Sequence, residues 1–301
     1  MGFLRNKTLR WYRSRLERFI GWCEKRDIEL EQVKAPVVRE FLLEHRFGSQ
    51  YTLHGYAQVI KSFLRWCSDE EAFENLVSEQ TVRRIELPRL KIKTVSMFTP
   101  KEIKALFAAC EKEATPELRA RDKAILSLLL DAGLRVSEIA CDDTRLEEVT
   151  GLRLGMVFLK PSESYLEVIG KGGNERTVPL GNQARLALRR HISYYEERPM
   201  NSCVFLSRNG NPLSTRSVED VVYRLAEWAG VKDAHPHRFR HTFACLYLLN
   251  GGDIYTLSRI MGHSTVKVTE LYLRAIRDIQ ARKGLSVLDK FNEAGRRNIP
   301  T

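Results

Sequence analysis

Steps of three and four between apolar residues organise the first part of this chain. From Thr8 to Cys23, the residues Leu9, Tyr12, Leu16, Phe19, Ile20 and Cys23 mark one face of an amphipathic helix. Leu53, Tyr56, Ile60, Phe63, Leu64 and Cys67 mark a second, starting near Ser49. A shorter helix is expected from Val37 to His45, and another from about Ser78 to Ile85. Residues up to about 85 thus read as a small all-helical bundle. From Leu87 to Thr94 the period breaks, Pro88 intervenes and basic residues alternate with apolar ones. That stretch reads as an exposed linker, and its charge suits a path beside a phosphate backbone.

The next helix carries its own start signal. Thr99 can cap it, Pro100 fits its first position, and Glu102 stands three residues after the cap, which makes a capping box. Beyond it, helices are predicted near 100–113, 117–132, 135–141, 182–196, 215–229, 237–249, 253–261 and 279–292, with strands at 156–160, 165–169 and 176–180. The last two strands flank Lys171-Gly172-Gly173-Asn174, whose glycines supply the positive φ angles of a hairpin turn. The expected fold is mainly α with a small antiparallel β-sheet (α+β). Two domains are expected, 1–87 and 98–301, joined by a linker at 88–97.

Composition narrows the class. Of the 301 residues, 43% are hydrophobic and 29% charged, as in ordinary globular proteins. The chain contains no run of about 18 apolar residues, the length that would span a bilayer. The start, Met1-Gly2-Phe3-Leu4-Arg5-Asn6, lacks a signal-peptide core, and Asn6 breaks the myristoylation pattern. A cytoplasmic location is expected. The cysteines 23, 67, 110, 141, 203 and 245 are scattered without a C-x-x-C pair, so they read as small buried hydrophobes rather than disulfides or zinc ligands. A net charge of +11 favours a polyanionic partner, nucleic acid first, without establishing it.

Five features of the second domain carry chemistry. Arg135 lies in Gly133-Leu134-Arg135-Val136-Ser137-Glu138, where a helical turn lets Glu138 steer the guanidinium. Taken alone, such a pair is more often a surface ion pair than a catalytic arginine. Lys171 sits on a glycine-flanked hairpin tip with Arg176 adding charge; a lysine there is usually just solvated, but it can also enter a DNA groove. His235-Pro236-His237-Arg238-Phe239-Arg240-His241 opens a helix whose N-terminus favours an anion. Both His235…Arg238 and His237…Arg240 fit an H-x-x-R spacing. Gly262-His263 follows, and Tyr272 stands nine residues beyond His263 on a polar helix, where a lone tyrosine is normally a packing residue.

Together, and in this order, these motifs resemble the tyrosine recombinase (integrase) family, to which the Xer proteins and mobile-element integrases belong. The resemblance covers nearly the whole chain. It selects the His237…Arg240 register, because His-Thr-Phe-Ala follows Arg240 only there. It implies that 1–87 is a helical core-binding domain and 98–301 a catalytic domain, forming a C-shaped clamp on DNA. The extension around 141–155 departs from compact members of the family.

The reaction so implied is site-specific DNA recombination by transesterification. The Tyr272 hydroxyl attacks phosphorus, giving a 3′-phosphotyrosyl enzyme and a free 5′-hydroxyl, and a second 5′-hydroxyl resolves the ester. Arg135 and Arg240 are expected to clamp the non-bridging oxygens with help from His263, because arginine stays charged and forks its donors. Lys171 is the expected general acid and His237 the general base, with Glu138 and His241 in supporting roles. The bond energy stays in the ester, so no cofactor, ATP or metal is expected. The implied partners are double-stranded DNA, a homotetramer on two DNA sites, and an accessory DNA-bending or directionality protein, with no membrane. The apolar spacing of Gly284–Phe291 suits packing on its own domain or docking on a neighbouring protomer. The rival readings are relaxation of DNA by a type IB topoisomerase-like enzyme and a non-catalytic DNA-binding protein.

Overall fold

The computed structural model describes residues 6–44, 49–73, 75–90, 96–142, 151–170, 173–195 and 197–282. The chain divides into two compact units, residues 1–93 and 94–301.

The first unit contains α1 (Asn6–Glu24), α2 (Ala35–Glu44), α3 (Gln50–Asp69) and α4 (Glu79–Arg84). The apolar faces read from the sequence meet in one core of Phe19, Trp22, Phe41, Tyr56, Ile60, Leu64 and Cys67, joined by Val82 and Ile85. Phe41 is fully buried, and its ring meets that of Phe19 edge to face at 5.1 Å. Ser49 caps α3 by accepting the Thr52 amide at 3.2 Å. At the other end of the core, Trp22 Nε1 donates to Glu44 at 2.7 Å, so the indole is satisfied while its ring is buried.

The second unit contains α5 (Pro100–Ala109), α6 (Pro116–Asp131), α7 (Val136–Ile139), α8 (Asn182–Ile192), α9 (Thr215–Ala229), α10 (Pro236–Leu249), α11 (Ile254–Met261) and α12 (Val266–Arg282). Strands β1 (Val157–Lys160), β2 (Glu163–Ile169) and β3 (Glu175–Pro179) form one antiparallel sheet in the order β1-β2-β3. The mainly α fold with a small antiparallel sheet is thus as expected. The Thr99 box also forms: Thr99 Oγ1 accepts from the Glu102 amide, and Glu102 accepts from the Thr99 amide at 2.7 Å. Helix α6 is the hub. Ile125, Leu126, Leu128 and Leu129 are all fully buried, because a helix apolar on most of its sides must be surrounded. Its partners include α8 and α10.

Three expectations need correction. The helices predicted over 100–113 and 182–196 stop at Ala109 and Ile192 and give way to short 3₁₀ turns. The predicted elements give no bounds for α12, although Tyr272 is read as lying on a polar helix. The segment predicted as a helix over 279–292 contributes only its first residues, to the end of α12, and the rest lies outside the described residues. Third, Cys141 and Cys203 form a disulfide, with Cα atoms 6.3 Å apart and a sequence separation of 62. An isolated bridge pairs Arg153 with Cys203, and Cys141 ends the segment after α7, so tertiary pairing brings together cysteines that their spacing gave no reason to connect. Among the described residues no helix is long and apolar enough to cross a membrane.

Candidate active site

The site begins at a glycine. Gly133 leaves α6 with φ of +58°, and a Cβ there would lie 2.2 Å from the Phe243 ring. Only glycine turns the chain so sharply against that ring. The turn delivers Arg135 to the cap position of α7, where its amide donates to Glu138 Oε2 at 2.8 Å and its Nη1 donates to Oε1 at 3.0 Å. The sequence pair Arg135–Glu138 is therefore formed, but Glu138 is no surface residue: its side chain is 1% exposed. Burial alone would raise its carboxyl, yet the hydrogen bonds and charge of Arg176, followed by those of Arg135, outweigh this and hold it below the usual carboxylate range.

Helix α10 supplies the second arginine. Pro236 opens it, and His235 caps it by accepting the Arg238 amide at Nδ1. The two H-x-x-R registers separate here. Arg238 lies over the Phe98 ring and donates to Glu102, Met97 and Lys232, a structural anchor within this unit. Arg240 points the other way, 4% exposed, and donates to the carbonyls of Gly133 and Met261, with Nη2 3.3 Å from His263 Nε2. Burial, then the nearby Arg135 charge, lowers its pKa to about 10.

The C-terminal end of α11 organises the cations. Its carbonyls form the negative end of the helix and lack partners within it. Three successive ones each accept an arginine: Ile260 from Arg176, Met261 from Arg240, and Gly262 from Arg135. Gly262, at φ +60°, ends the helix and turns the chain towards His263. The His263 Nδ1 lies 2.8 Å from Thr269 Oγ1, a fully buried residue on α12. A guanidinium only donates, so His263 Nε2 accepts from Arg240 and Nδ1–H donates to Thr269. Burial first, and then Arg240, Arg135 and Arg176, push the His263 imidazole down to about 4.

Tyr272 stands one helical turn beyond Thr269 on α12, and at 5% exposure it is buried. Its hydroxyl is 3.0 Å from Nδ1 of His241, and its ring stacks at 6.4 Å on that of His263. Burial raises the phenol above its usual range, while Arg240 pulls it down by less. The His241 imidazole is pushed down to about 4, by burial and then by His237, His235 and Arg240. His237 is more exposed, and its ring lies 6.4 Å from that of His241. Partial desolvation, followed by the charges of Arg240 and Arg135, lowers its pKa. Among the described residues the tyrosine hydroxyl pairs with His241, not with His237.

Arg135, Glu138, His237, Arg240, His241, His263 and Tyr272 thus converge from α7, α10, α12 and the turn that follows α11. Lys171 lies outside the described residues; around it, β2 and β3 pair up to Ile169 and Glu175, and the Gly170 amide donates to Asn174 across the loop. Sequence reading missed two members of the cluster. Thr269 had a legible signal, three residues before Tyr272 on one helical face. Arg176, expected to add charge for DNA, instead folds back against Glu138, and nothing in the strand pattern announces that. The arrangement can do a specific kind of chemistry. Buried guanidinium groups, one of them opening to solvent at Arg135, can stabilise an anionic phosphoryl group beside a hydroxyl that has a neutral imidazole to receive its proton.

Comparison with known proteins agrees with this chemistry. The model of the phage integrase family matches residues 96–277. The tyrosine recombinase XerC of Thermodesulfovibrio yellowstonii is 29% identical over 279 residues, covering 88% of this chain and 84% of the relative. The tyrosine recombinase XerD of Chlamydia pneumoniae is 33% identical over 222 residues, covering 71% and 67%. In fold, the chain is similar to the XerH site-specific recombinase in its post-cleavage complex with a palindromic difH substrate, with a TM-score of 0.75 and 18% identity over 94% of this chain and 80% of that one. A lambda integrase dimer bound to a COC′ core site superposes with a TM-score of 0.63 at 17% identity, over 89% of each chain. Neither a relaxing topoisomerase nor a non-catalytic DNA-binding protein is favoured by these relatives. The chain belongs to the phage integrase family, the tyrosine recombinases that break and rejoin DNA at specific sites.

Proposed function

We propose that Tyr272 is the nucleophile of a metal-independent strand exchange and that its attack on a phosphodiester gives a 3′-phosphotyrosyl intermediate. The observation that carries this is the Tyr272 hydroxyl at 3.0 Å from His241 beside the Arg135–Arg240–His263 cluster. Arg135 and Arg240 hold the non-bridging oxygens. His241 receives the phenol proton at Nδ1, and His237, more exposed at the mouth of the cluster, donates to the phosphate. His263 must expose a proton at Nε2 to assist, which requires it to change tautomer or gain a proton once a phosphate arrives. Lys171 protonates the leaving 5′-oxygen. The test is Tyr272→Phe on a duplex that the wild-type protein selects from a random-sequence pool and cleaves. The variant should bind this duplex and form no covalent adduct; an adduct would refute the assignment. A 5′-bridging phosphorothioate at the cleaved bond should restore cleavage to Lys171→Ala, and absence of rescue would count against that role.

The same reading extends to assembly. Residues 1–87 form the core-binding domain, and four protomers join two duplex sites in the cytoplasm, with an accessory DNA-bending protein where directionality is needed. A groove of about 1000 Å³ on the second unit is lined by Phe107, Leu130, Leu186, Phe243, Leu246 and Tyr247. These apolar side chains, rimmed by Glu111, Lys123, Asp131 and Arg190, suit the residues Leu285, Val287, Leu288 and Phe291 of a neighbouring copy, which lie outside the described residues. Removing residues 284–301 should abolish higher-order complexes on DNA while leaving binding of a single duplex site intact.

A further inference from the structure

Arg176 lies in the second residue of β3, and the phosphate-clamp reading gives it no task. Its side chain is 12% exposed. Nη1 and Nη2 donate side by side to the two Glu138 oxygens at 2.8 and 2.9 Å, and Nε donates to the Ile260 carbonyl at 2.6 Å. Every nitrogen of the guanidinium is thus committed to protein. This fork matches carboxylate geometry, which a lysine ammonium cannot reproduce.

Both ends of this bridge are attached to arginines of the clamp. Glu138 also receives the amide and Nη1 of Arg135, and the α11 end that takes Arg176 at Ile260 takes Arg240 at Met261 and Arg135 at Gly262. The space is tight. A Cβ on Gly262 would lie 3.1 Å from Arg176 Nη1 and 3.2 Å from Cζ and Nε. Glycine at that position therefore serves the guanidinium as well as the helix end. Charge gives the same result. Glu138 is a single buried carboxylate beside two cations, so without Arg176 it would be free to draw Arg135 fully onto itself and away from a phosphate.

We propose that Arg176 is a positioning residue for DNA cleavage: by saturating Glu138 and fixing the end of α11, it holds Arg135 in the orientation that meets the scissile phosphate. This rests on the clamp reading of Arg135 and Arg240. It predicts that the loss of Arg176 weakens stabilisation of phosphate charge more than it weakens DNA binding.

The experiment measures single-turnover adduct formation by the full chain on the selected duplex, with either a phosphodiester or a neutral methylphosphonate at the cleaved position. Arg176→Met should slow the phosphodiester reaction about 10- to 100-fold and the methylphosphonate reaction by less than about threefold, because the second substrate has one non-bridging oxygen, and one negative charge, fewer for the clamp to hold. Arg176→Lys should fall between wild type and Arg176→Met on the phosphodiester, and it replaces the methionine variant in the comparison if the latter does not fold. Equal slowing on both substrates would make Arg176 a purely structural residue and overturn the proposal, as would normal cleavage of the phosphodiester. Arg135→Ala is the control. If it shows no phosphodiester defect relieved by the methylphosphonate, the clamp reading has failed; if it does and the Arg176 variants do not, only the role of Arg176 has failed.

Discussion

Replacing Arg240 by lysine preserves the charge and removes the fork, and the structure separates its two consequences. The guanidinium is buried, and it donates to the carbonyls of Gly133 and Met261 while approaching His263. An ammonium is a compact point donor, and from one position it cannot reach carbonyls that belong to different turns of the chain. One buried acceptor then loses its partner, at a cost of about 1–3 kcal/mol. In a domain of roughly this size that corresponds to a fall of several degrees in Tm. The kinetic cost is separate. Loss of one preorganised donor to the developing oxyanion adds about 2.7–4 kcal/mol to the barrier, or roughly 10²- to 10³-fold in rate. Differential scanning calorimetry measures the first, and single-turnover adduct formation at saturating protein, well below the Tm of the variant, measures the second. If Arg240→Lys forms adduct within about threefold of the wild-type rate, the clamp argument fails, whatever its stability.

Other outcomes follow from the same contacts. His241→Ala should slow adduct formation by about 10²-fold or more, and His237→Ala by less, because the phenol proton has its acceptor in His241; the reverse order would return the base to His237. The imidazoles of His191, His241 and His263 are all held down to about 4, chiefly by burial, against 6.5 in an unfolded chain. Their folded forms stay neutral while the unfolded chain takes up protons, so stability is fully present above pH 6.5 and falls as the pH drops towards 4. Denaturant midpoints across that window test it, and a midpoint that does not fall there would contradict it. Gly262→Ala should destabilise by about 1–2 kcal/mol through its left-handed φ, and should also slow cleavage by pressing on Arg176; unchanged cleavage would show that the guanidinium yields without effect. Cys141→Ser or a reductant should lower the stability of the second unit by about 2–4 kcal/mol, measured by chemical denaturation against the oxidised protein.

The helical architecture, and most of the residues that gather around Tyr272, were legible in the sequence. Local signals suffice for Thr99-Pro100-Glu102, for the apolar faces of α1 and α3, and for a glycine turn before Arg135, since capping and helical periodicity act within a few residues. Arg135, Arg240, His263 and Tyr272 were readable because each sits in a short motif whose order is informative. Partner choice was not readable, because it depends on groups far apart in sequence. Arg238 and Arg240 lie two residues apart in the same basic turn, yet one anchors Glu102 and the other the end of α11. The histidine facing the Tyr272 hydroxyl is His241 rather than His237, which the rotation of α10 against α12 decides. Arg176 reads as a surface charge on a hairpin strand, and Cys141 and Cys203 as unrelated thiols, until folding brings their partners alongside. The sequence alone determined most of the helices and strands and the motifs that point to the chemistry, because those depend on local spacing. Only the tertiary structure decided which donor meets which acceptor, because a buried charge takes its partner from whatever the packing of distant segments places beside it.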